Sequence, residues 1–282
     1  MAISRLTMNE IVERIHTIPT LPEVVNKLIK MVNDPDVDAH RIGNLVSKDP
    51  GIAAKMLRMV NSVYYGLKEP VHDLEHAVTV LGFKTLRSLA LSVSVINAFQ
   101  QQSATFSMKA LWTHSVVSGG IARAISLRCK GKDPELAFTV GLLRHIGRLI
   151  LVENAAEETR AIIAVADRFK WPFHRAAREV IEADDAEIGA WLAEHWELHQ
   201  DIVAGIRFQY DAAQAPDRSV IAAINVADAI CARKAIRASG DFHEITIDAD
   251  DVRRLGIDKQ AMIDIVNAAT VEFDNARELL KG

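Results

Sequence analysis

Residues 86–96 read LRSLALSVSVI, and the spacing of their apolar side chains decides the class of fold. These side chains have the i, i+3, i+4, i+7 spacing that lines one face of an α-helix. They are Leu86, Leu89, Ala90, Val93 and Ile96. Residues 21–32, LPEVVNKLIKMV, repeat the pattern. The one weak strand candidate, HEITID at residues 243–248, is short and isolated, and no segment alternates strictly between Asn-Gly or Asp-Gly turns. The sequence therefore predicts an all-α protein.

Helix-start signals agree with this pattern. Thr7 and Glu10 have the spacing of a capping box, and Pro50 follows Asp49 at the start of an apolar run. Pro134 precedes another run of the same kind. We expect about a dozen helices of roughly 8–20 residues joined by short connections.

The length of 282 residues suits one large domain or two modest ones. A polar stretch, QQQSAT at residues 100–105, interrupts the helical pattern. We therefore predict two helical lobes, an amino-terminal lobe at residues 1–105 and a second lobe at residues 106–282.

Charge and cysteine content limit the partners and the compartment. Lys plus Arg is 33 and Asp plus Glu is 37, a formal net charge of -4, so the basic excess of a general nucleic-acid binder is missing. Cys129 and Cys231 have no CxxC spacing and are expected to be buried thiols in a reducing compartment. No run approaches the roughly 18 uncharged apolar residues of a membrane span. We expect a cytoplasmic protein without membrane or nucleic-acid partners.

Six separated motifs carry a resemblance to a known family. They are IPTLPEVV from Ile18, NSVYYG at 61–66, AVTVLGF at 77–83, LWTHS at 111–115, FTVGLLRHIGRLIL at 138–151 and EIGAWLAEHW at 187–196. Their order and spacing resemble the HDOD family of bacterial signalling modules over about residues 18–215. The resemblance implies a two-lobed helical module in signal transduction, whose second lobe is HD-like.

The same resemblance implies where a metal ion would bind. The HDOD family is similar to the HD phosphohydrolases, in which a histidine, a His-Asp pair and a later aspartate hold a metal that activates water against a phosphoester. In this sequence these positions correspond to His114, the pair Arg144 and His145, and Asp228. Two of the four positions therefore keep a ligand, and the relict pocket of these residues is the candidate ligand or ion-pair site.

Arg144 is the departure with the largest physical effect. An arginine stays protonated at any accessible pH and places a fixed positive charge where a cation would bind. We predict that its guanidinium pairs with Asp228; the alternative is that it extends to solvent. On a continuous helix His145 would point about 100° away from Arg144, so its ring would have to be repositioned to act as a ligand. Two imidazoles and one carboxylate remain, however, which is a ligand set that some metal sites use.

Three functions remain after these observations. We predict a non-catalytic HDOD-type regulatory module that binds signalling proteins, with no catalytic residues, no metal and no cofactor. The alternative from a different class is a metal-dependent HD-type phosphohydrolase with a rearranged site built on His114, His145 and Asp228. A third interpretation is that the pocket binds a nucleotide without cleaving it, with Arg144 contacting a phosphate.

Overall fold

The computed structural model describes residues 7–15, 18–31, 38–61, 65, 67–99, 103, 105–128, 133–267 and 269. Every regular element in these ranges is a helix, which confirms the predicted fold class. In chain order the helices are α1 (Met8–Arg14), α2 (Glu23–Lys30), α3 (Ala39–Val46), α4 (Pro50–Val60), α5 (Leu74–Leu81), α6 (Phe83–Ala98), α7 (Met108–Arg128), α8 (Pro134–Leu143), α9 (Ile146–Asn154), α10 (Ala156–Phe169), α11 (Phe173–Val180), α12 (Asp185–His195), α13 (Gln200–Arg207), α14 (Arg218–Arg233) and α15 (Ala249–Leu255). Residues 259–267 are helical as well, and residues 243–248 form no strand.

The helix starts follow the sequence signals. Thr7 Oγ1 accepts a hydrogen bond from the Glu10 backbone N–H at 3.3 Å, and the Glu10 carboxylate accepts one from the Thr7 backbone N–H at 2.7 Å. This reciprocal pair is the capping box that the sequence predicted. Asp49 caps α4 through the N–H groups of the first turn, and Pro50 takes the first helical position, where it needs no donor.

The chain divides into two compact units. Of the described residues, the larger unit contains 7–15, 18, 103, 105–128, 133–267 and 269, and the smaller unit contains 19–31, 38–61, 65 and 67–99. In the larger unit α7 packs against α8 and α14, and α9 packs against α12. In the smaller unit α3 packs against α5, and α4 and α2 pack against α6. Each unit has its own buried apolar core.

Two glycine contacts bring the helices of the larger unit close together. A Cβ on Gly141 of α8 would lie 2.7 Å from the Cα of Gly119 on α7. A Cβ on Gly147 of α9 would lie 2.1 Å from the carbonyl oxygen of Asp185 on α12. Both contacts therefore require the absence of a side chain.

Three sequence features fall wholly or partly outside the described residues. These are Cys129, the segment 61–66, of which 62–64 and 66 are not described, and the polar stretch 100–105, of which 100–102 and 104 are not described. Cys231 is buried on α14. None of the helices in the described ranges has the length and apolar character needed to cross a bilayer.

Candidate functional site

The carboxylate of Asp228 on α14 is the centre of a buried polar cluster in the larger unit. The Arg144 guanidinium donates to Asp228 Oδ2, and the Ser118 hydroxyl donates to Asp228 Oδ1 at 2.7 Å. His114 Nε2 lies 3.5 Å from the same Oδ1. His114 and Ser118 are one helical turn apart on α7, so both face α14. We call His114, Ser118, Arg144, His145, Gln209 and Asp228 the Arg144 cluster.

Gln209, after α13, fixes the orientation of Arg144. Its Oε1 accepts a hydrogen bond from Arg144 Nε at 2.8 Å, and its Nε2 donates to the Arg144 carbonyl oxygen at 2.8 Å. The guanidinium is therefore held on both its Nε and its terminal nitrogen. The ion pair predicted between Arg144 and Asp228 is present and buried, and the alternative of an arginine extended to solvent is wrong.

The expectation that His145 follows Arg144 within one continuous helix is wrong. The helix α8 ends at Leu143, Arg144 is its C-cap, and His145 is the N-cap of α9, so no continuous helix passes through the pair. The chain turns there, with ψ near 12° at His145. The side chains of Arg144 and His145 both line one cavity, and the rings of His114 and His145 have centroids 5.4 Å apart.

A second buried cluster is built on Arg148 of α9. Its Nε donates to Asp185 Oδ2 at 2.7 Å, and one terminal nitrogen donates to Asp241 Oδ2 at 2.8 Å and to the Ser239 carbonyl oxygen at 3.0 Å. Tyr210 Oη donates to the Asp185 carboxylate at 3.1 Å. We call Arg148, Asp185, Tyr210, Ser239 and Asp241 the Arg148 cluster. His145 Nδ1 lies 3.4 Å from Asp185 Oδ2, so the histidine connects the two clusters.

Burial keeps both imidazoles neutral near pH 7. It is the largest cause of the lowered pKa of His114, and Asp228 opposes it. Burial, followed by the Arg148 guanidinium, lowers the pKa of His145 to about 3. Burial alone would raise the pKa of Asp228, but Arg144 and then His114 hold it below its ordinary value. The Arg144 cluster therefore contains one carboxylate, one guanidinium and two neutral imidazoles.

The carboxylates of the Arg148 cluster are also ionised. Burial would raise the pKa of Asp185, but Arg148 and then His145 hold it well below its ordinary value. The same two groups oppose burial at Asp241 and lower its pKa to about 2. Burial, and then the charge of Asp185, raises the pKa of Tyr210 well above its ordinary value, so the phenol stays protonated and donates.

Both clusters line one cavity of about 220 Å³ in the larger unit. Its wall includes His114, Arg144, His145, Arg148, Asp228 and Asp241. The predicted site residues His114, Arg144, His145 and Asp228 are thus brought together around one space. A cavity with this many convergent polar side chains suits a small polar ligand better than an apolar one.

The residues His114, His145 and Asp228 have the arrangement of a candidate metal centre. One ligand atom from each lies within 4.8 Å of the others, and all three residues are buried. Two ring nitrogens, Nδ1 of His114 and Nε2 of His145, have no hydrogen-bond partner among the described residues. Such unpaired atoms carry a desolvation cost that a donor or a cation would relieve. Against a metal ion, the Asp228 carboxylate is already paired with the Arg144 guanidinium.

Of the cluster residues that sequence reasoning missed, three are instructive. Arg148 lies in an otherwise apolar helix start, IGRLIL, and an arginine there was a signal for a buried ion pair. Ser118 lies one helical turn after His114 on α7 and donates to Asp228, a contact that the sequence did not indicate. Asp241 lies in a segment without any motif, and nothing in the sequence pointed to it.

Comparison with known proteins agrees with this architecture. The HDOD domain model matches residues 18–212. An uncharacterized protein of Treponema pallidum (strain Nichols) is 27% identical over 209 residues, which are 73% of this chain and 40% of that protein. The chain therefore spans less than half the length of this relative.

Solved structures share the fold. A Geobacter sulfurreducens HDOD domain protein of unknown function has a TM-score of 0.75 at 22% identity, covering 97% of this chain and 87% of its own. A "Putative phosphohydrolase" from Shewanella amazonensis SB2B has a TM-score of 0.75 at 25% identity, covering 95% and 97%. A "Putative signal transduction protein" from Marinobacter aquaeolei VT8 has a TM-score of 0.74 at 19% identity, covering 92% and 58%.

Proposed function

The chain belongs to the HDOD family, and from this premise we propose that it is a non-catalytic regulatory module that acts by binding a signalling protein. The observation that carries the proposal is the buried ion pair of Arg144 with Asp228. Structurally similar proteins include one described as a "Putative signal transduction protein" and one described as a "Putative phosphohydrolase". The net charge of -4 and the cysteine usage support a cytoplasmic module without a nucleic-acid partner.

Electrostatics supports this proposal over metal-dependent hydrolysis. Two unit charges 4 Å apart interact by about 4 kcal/mol at an effective dielectric constant near 20, so a divalent ion at that distance from a guanidinium would be repelled by about 8 kcal/mol. Arg144 also occupies Asp228 Oδ2, and Ser118 and His114 face Oδ1. With Arg144 in this position, the residues present do not fit a divalent metal ion.

Metal content and turnover test the proposal directly. The protein is purified without chelator, its manganese, iron and zinc are measured, and hydrolysis of bis(p-nitrophenyl) phosphate is followed with each metal added. We expect far less than one ion per chain and no turnover above that of the Asp228→Asn variant. Near-stoichiometric metal, together with turnover that Asp228→Asn abolishes, would overturn the proposal.

A metal-dependent phosphohydrolase is the second candidate, and a specific observation favours it. The ligand atoms of His114, His145 and Asp228 converge within 4.8 Å, and both imidazoles are neutral, as metal ligation requires. This candidate requires Arg144 to leave Asp228 when metal binds. A crystal structure with anomalous scattering, from protein soaked in Mn²⁺, would show the ion and the displaced guanidinium together.

A nucleotide is the small ligand that we propose to test in the cavity. Arg144 and Arg148 line it, but each already faces a carboxylate. Arg237, also in the wall, donates to the His243 carbonyl oxygen and leaves its charge available for a phosphate. Thermal-shift measurements with a panel of mononucleotides and cyclic dinucleotides would show binding as a raised melting temperature. The absence of any shift would exclude nucleotides and leave the protein partner.

A further inference from the structure

Two exposed aromatic side chains and one partly buried one form a surface on the larger unit, at the turn between α10 and α11. Phe169 and Trp171 stack with ring centroids 5.0 Å apart, and Phe242 from a later segment lies beside Lys170. Phe169 is 50% exposed and Phe242 is 40% exposed. We call Phe169, Trp171 and Phe242, with the cations beside them, the aromatic surface.

Each aromatic ring of this surface has a cation over it. The guanidinium carbon of Arg168 lies 5.2 Å from the centroid of the Phe169 ring, and that of Arg175 lies 4.0 Å from the centroid of the Trp171 ring. Lys170 Nζ lies 5.6 Å from the Phe242 centroid. Cations held over aromatic faces keep their stems on apolar area and leave their charge exposed. The surface therefore combines apolar area with positive charge.

The charge balance of the surface is opposite to that of the whole chain. Arg168, Lys170 and Arg175 supply three positive charges, and Asp167, paired with Lys170 at 2.6 Å, supplies one negative charge. The chain as a whole has a net charge of -4. A basic, aromatic surface on an acidic protein favours a partner that carries carboxylates.

Buried contacts hold the surface in place. Arg148 donates to Ser239 and Asp241, and its guanidinium carbon lies 4.4 Å from the centroid of the Phe173 ring. Asp241 Oδ1 also accepts a hydrogen bond from the Phe173 backbone N–H at 3.3 Å. The chain on both sides of the surface is thus attached to one buried arginine. A preorganised surface loses less conformational entropy on binding.

We propose that the aromatic surface docks a partner protein through a segment that carries carboxylate side chains beside apolar ones. This deepens the proposed regulatory function and rests on it. Aromatic residues and arginine are the types most enriched at the energetic centres of protein interfaces. Among the described residues, the large exposed apolar side chains are Val80, Leu127, Phe169, Phe242 and Ile263, and the two phenylalanines are the ones on this surface.

Other classes of partner fit the surface less well. Single-stranded nucleic acid is bound along a continuous basic groove that follows several phosphates, whereas this surface has three cations, one of them paired with Asp167. Stable attachment to anionic lipid takes a larger cluster of basic residues, or basic residues together with a lipid chain. A protein segment needs only a few charges and one apolar contact.

The test is selection of random linear peptides displayed on phage against the full chain. We expect enriched peptides to contain Asp or Glu beside Leu, Phe or Trp, and their affinity to fall as salt is added. A double variant, Phe169→Ser with Phe242→Ser, should weaken binding about 30-fold or more, the effect of losing one strong interface residue. Leu127→Ser, which replaces a 59% exposed apolar residue on α7, should leave affinity unchanged.

Each other outcome overturns the docking proposal. These outcomes are no enrichment, enriched peptides without carboxylates, equal binding to the double variant, and binding to poly(U) or phosphatidylglycerol vesicles that the double variant abolishes. Thermal melts of all variants establish that they are folded. Failure of the proposed function is visible separately, as metal-dependent hydrolysis by the unaltered chain, and does not depend on peptide binding.

Discussion

The Arg144 cluster and the Arg148 cluster face the same cavity but balance their charges differently. In the Arg144 cluster one guanidinium meets one carboxylate, Asp228. In the Arg148 cluster one guanidinium meets two carboxylates, Asp185 and Asp241, and also donates to a backbone carbonyl. The first cluster also contains imidazole nitrogens without partners in the described part of the chain.

This difference separates a cluster that stabilises the fold from one that has unused binding capacity. Arg148 connects α9, α12 and the segment 239–241, so its hydrogen bonds join elements far apart in sequence. The Arg144 cluster contains buried ring nitrogens that have no hydrogen-bond partner among the described residues. A buried group without a partner is costly, and such groups are common where a ligand binds.

Replacement of Arg148 gives the largest expected effect. Arg148→Met would leave Asp185 and Asp241 buried without their counter-charge, and removal of one partner of a buried ion pair costs about 3–5 kcal/mol. Urea denaturation followed by circular dichroism measures the loss. Arg207→Met is the control, since Arg207 pairs with Glu194 at the surface and its loss should cost about 0–1 kcal/mol. Equal losses for the two variants would contradict the comparison.

Replacement of Arg144 should cost less and should create metal affinity. Arg144→Met leaves Asp228 with Ser118 and His114 still beside it, so we expect a loss of about 2–3 kcal/mol, below that for Arg148. With the guanidinium removed, His114, His145 and Asp228 would be able to hold a divalent ion. Isothermal titration with Zn²⁺ should show binding by the variant and not by the parent chain. Equal binding by both would show that Arg144 does not control the site.

Acid should destabilise the folded state through the imidazoles. The unfolded chain binds a proton at His145 near pH 6.5, whereas the folded protein does so only near pH 3. Below pH 6.5 the unfolded state therefore binds more protons, and the stability present at pH 7 is lost progressively toward pH 3. In chelator-treated protein, His145→Gln should reduce the slope of unfolding free energy against pH, between about pH 6 and 4, by up to about 1.4 kcal/mol per pH unit. An unchanged slope would place the proton uptake elsewhere.

The smallest effect is expected on α7. Ser118→Ala removes a hydrogen bond to the ionised Asp228 and should cost about 1–2 kcal/mol. Ser115→Ala is a matched control, because the Ser115 hydroxyl is buried on the same helix and has no hydrogen-bond partner among the described residues. That change should be neutral or slightly stabilising. Chemical denaturation of the pair checks whether the carboxylate bond accounts for the difference.

Much of the fold was predictable because its signals are local. Capping by Thr7 and Asp49 depends on side chains within three residues of the groups they bind. Amphipathic spacing in residues 86–96 likewise depends on neighbours along one helix. The Arg144–Asp228 pair was predictable for a different reason. The family resemblance placed both residues at one site, and their opposite charges predicted an ion pair there.

The remainder of the site was not predictable because it depends on tertiary geometry. His145 lies in the break between α8, which ends at Leu143, and α9, and periodicity alone does not locate such a break within one residue. Arg148 and Asp241 are 93 positions apart, and their contact exists only once α9 and the segment 239–241 have packed. Local sequence patterns therefore do not predict that Arg148 and Asp241 are in contact.

Gly147 limits how this cavity can be redesigned. An alanine there would press against the Asp185 carbonyl oxygen and separate α9 from α12, so the spacing of His145 and Arg148 from Asp185 is set by main-chain contact. The polar side chains around the cavity can be replaced by others, whereas the backbone at Gly147 has no room for a side chain. An engineered binding site in this protein would therefore keep the existing α9–α12 spacing and differ only in its side chains.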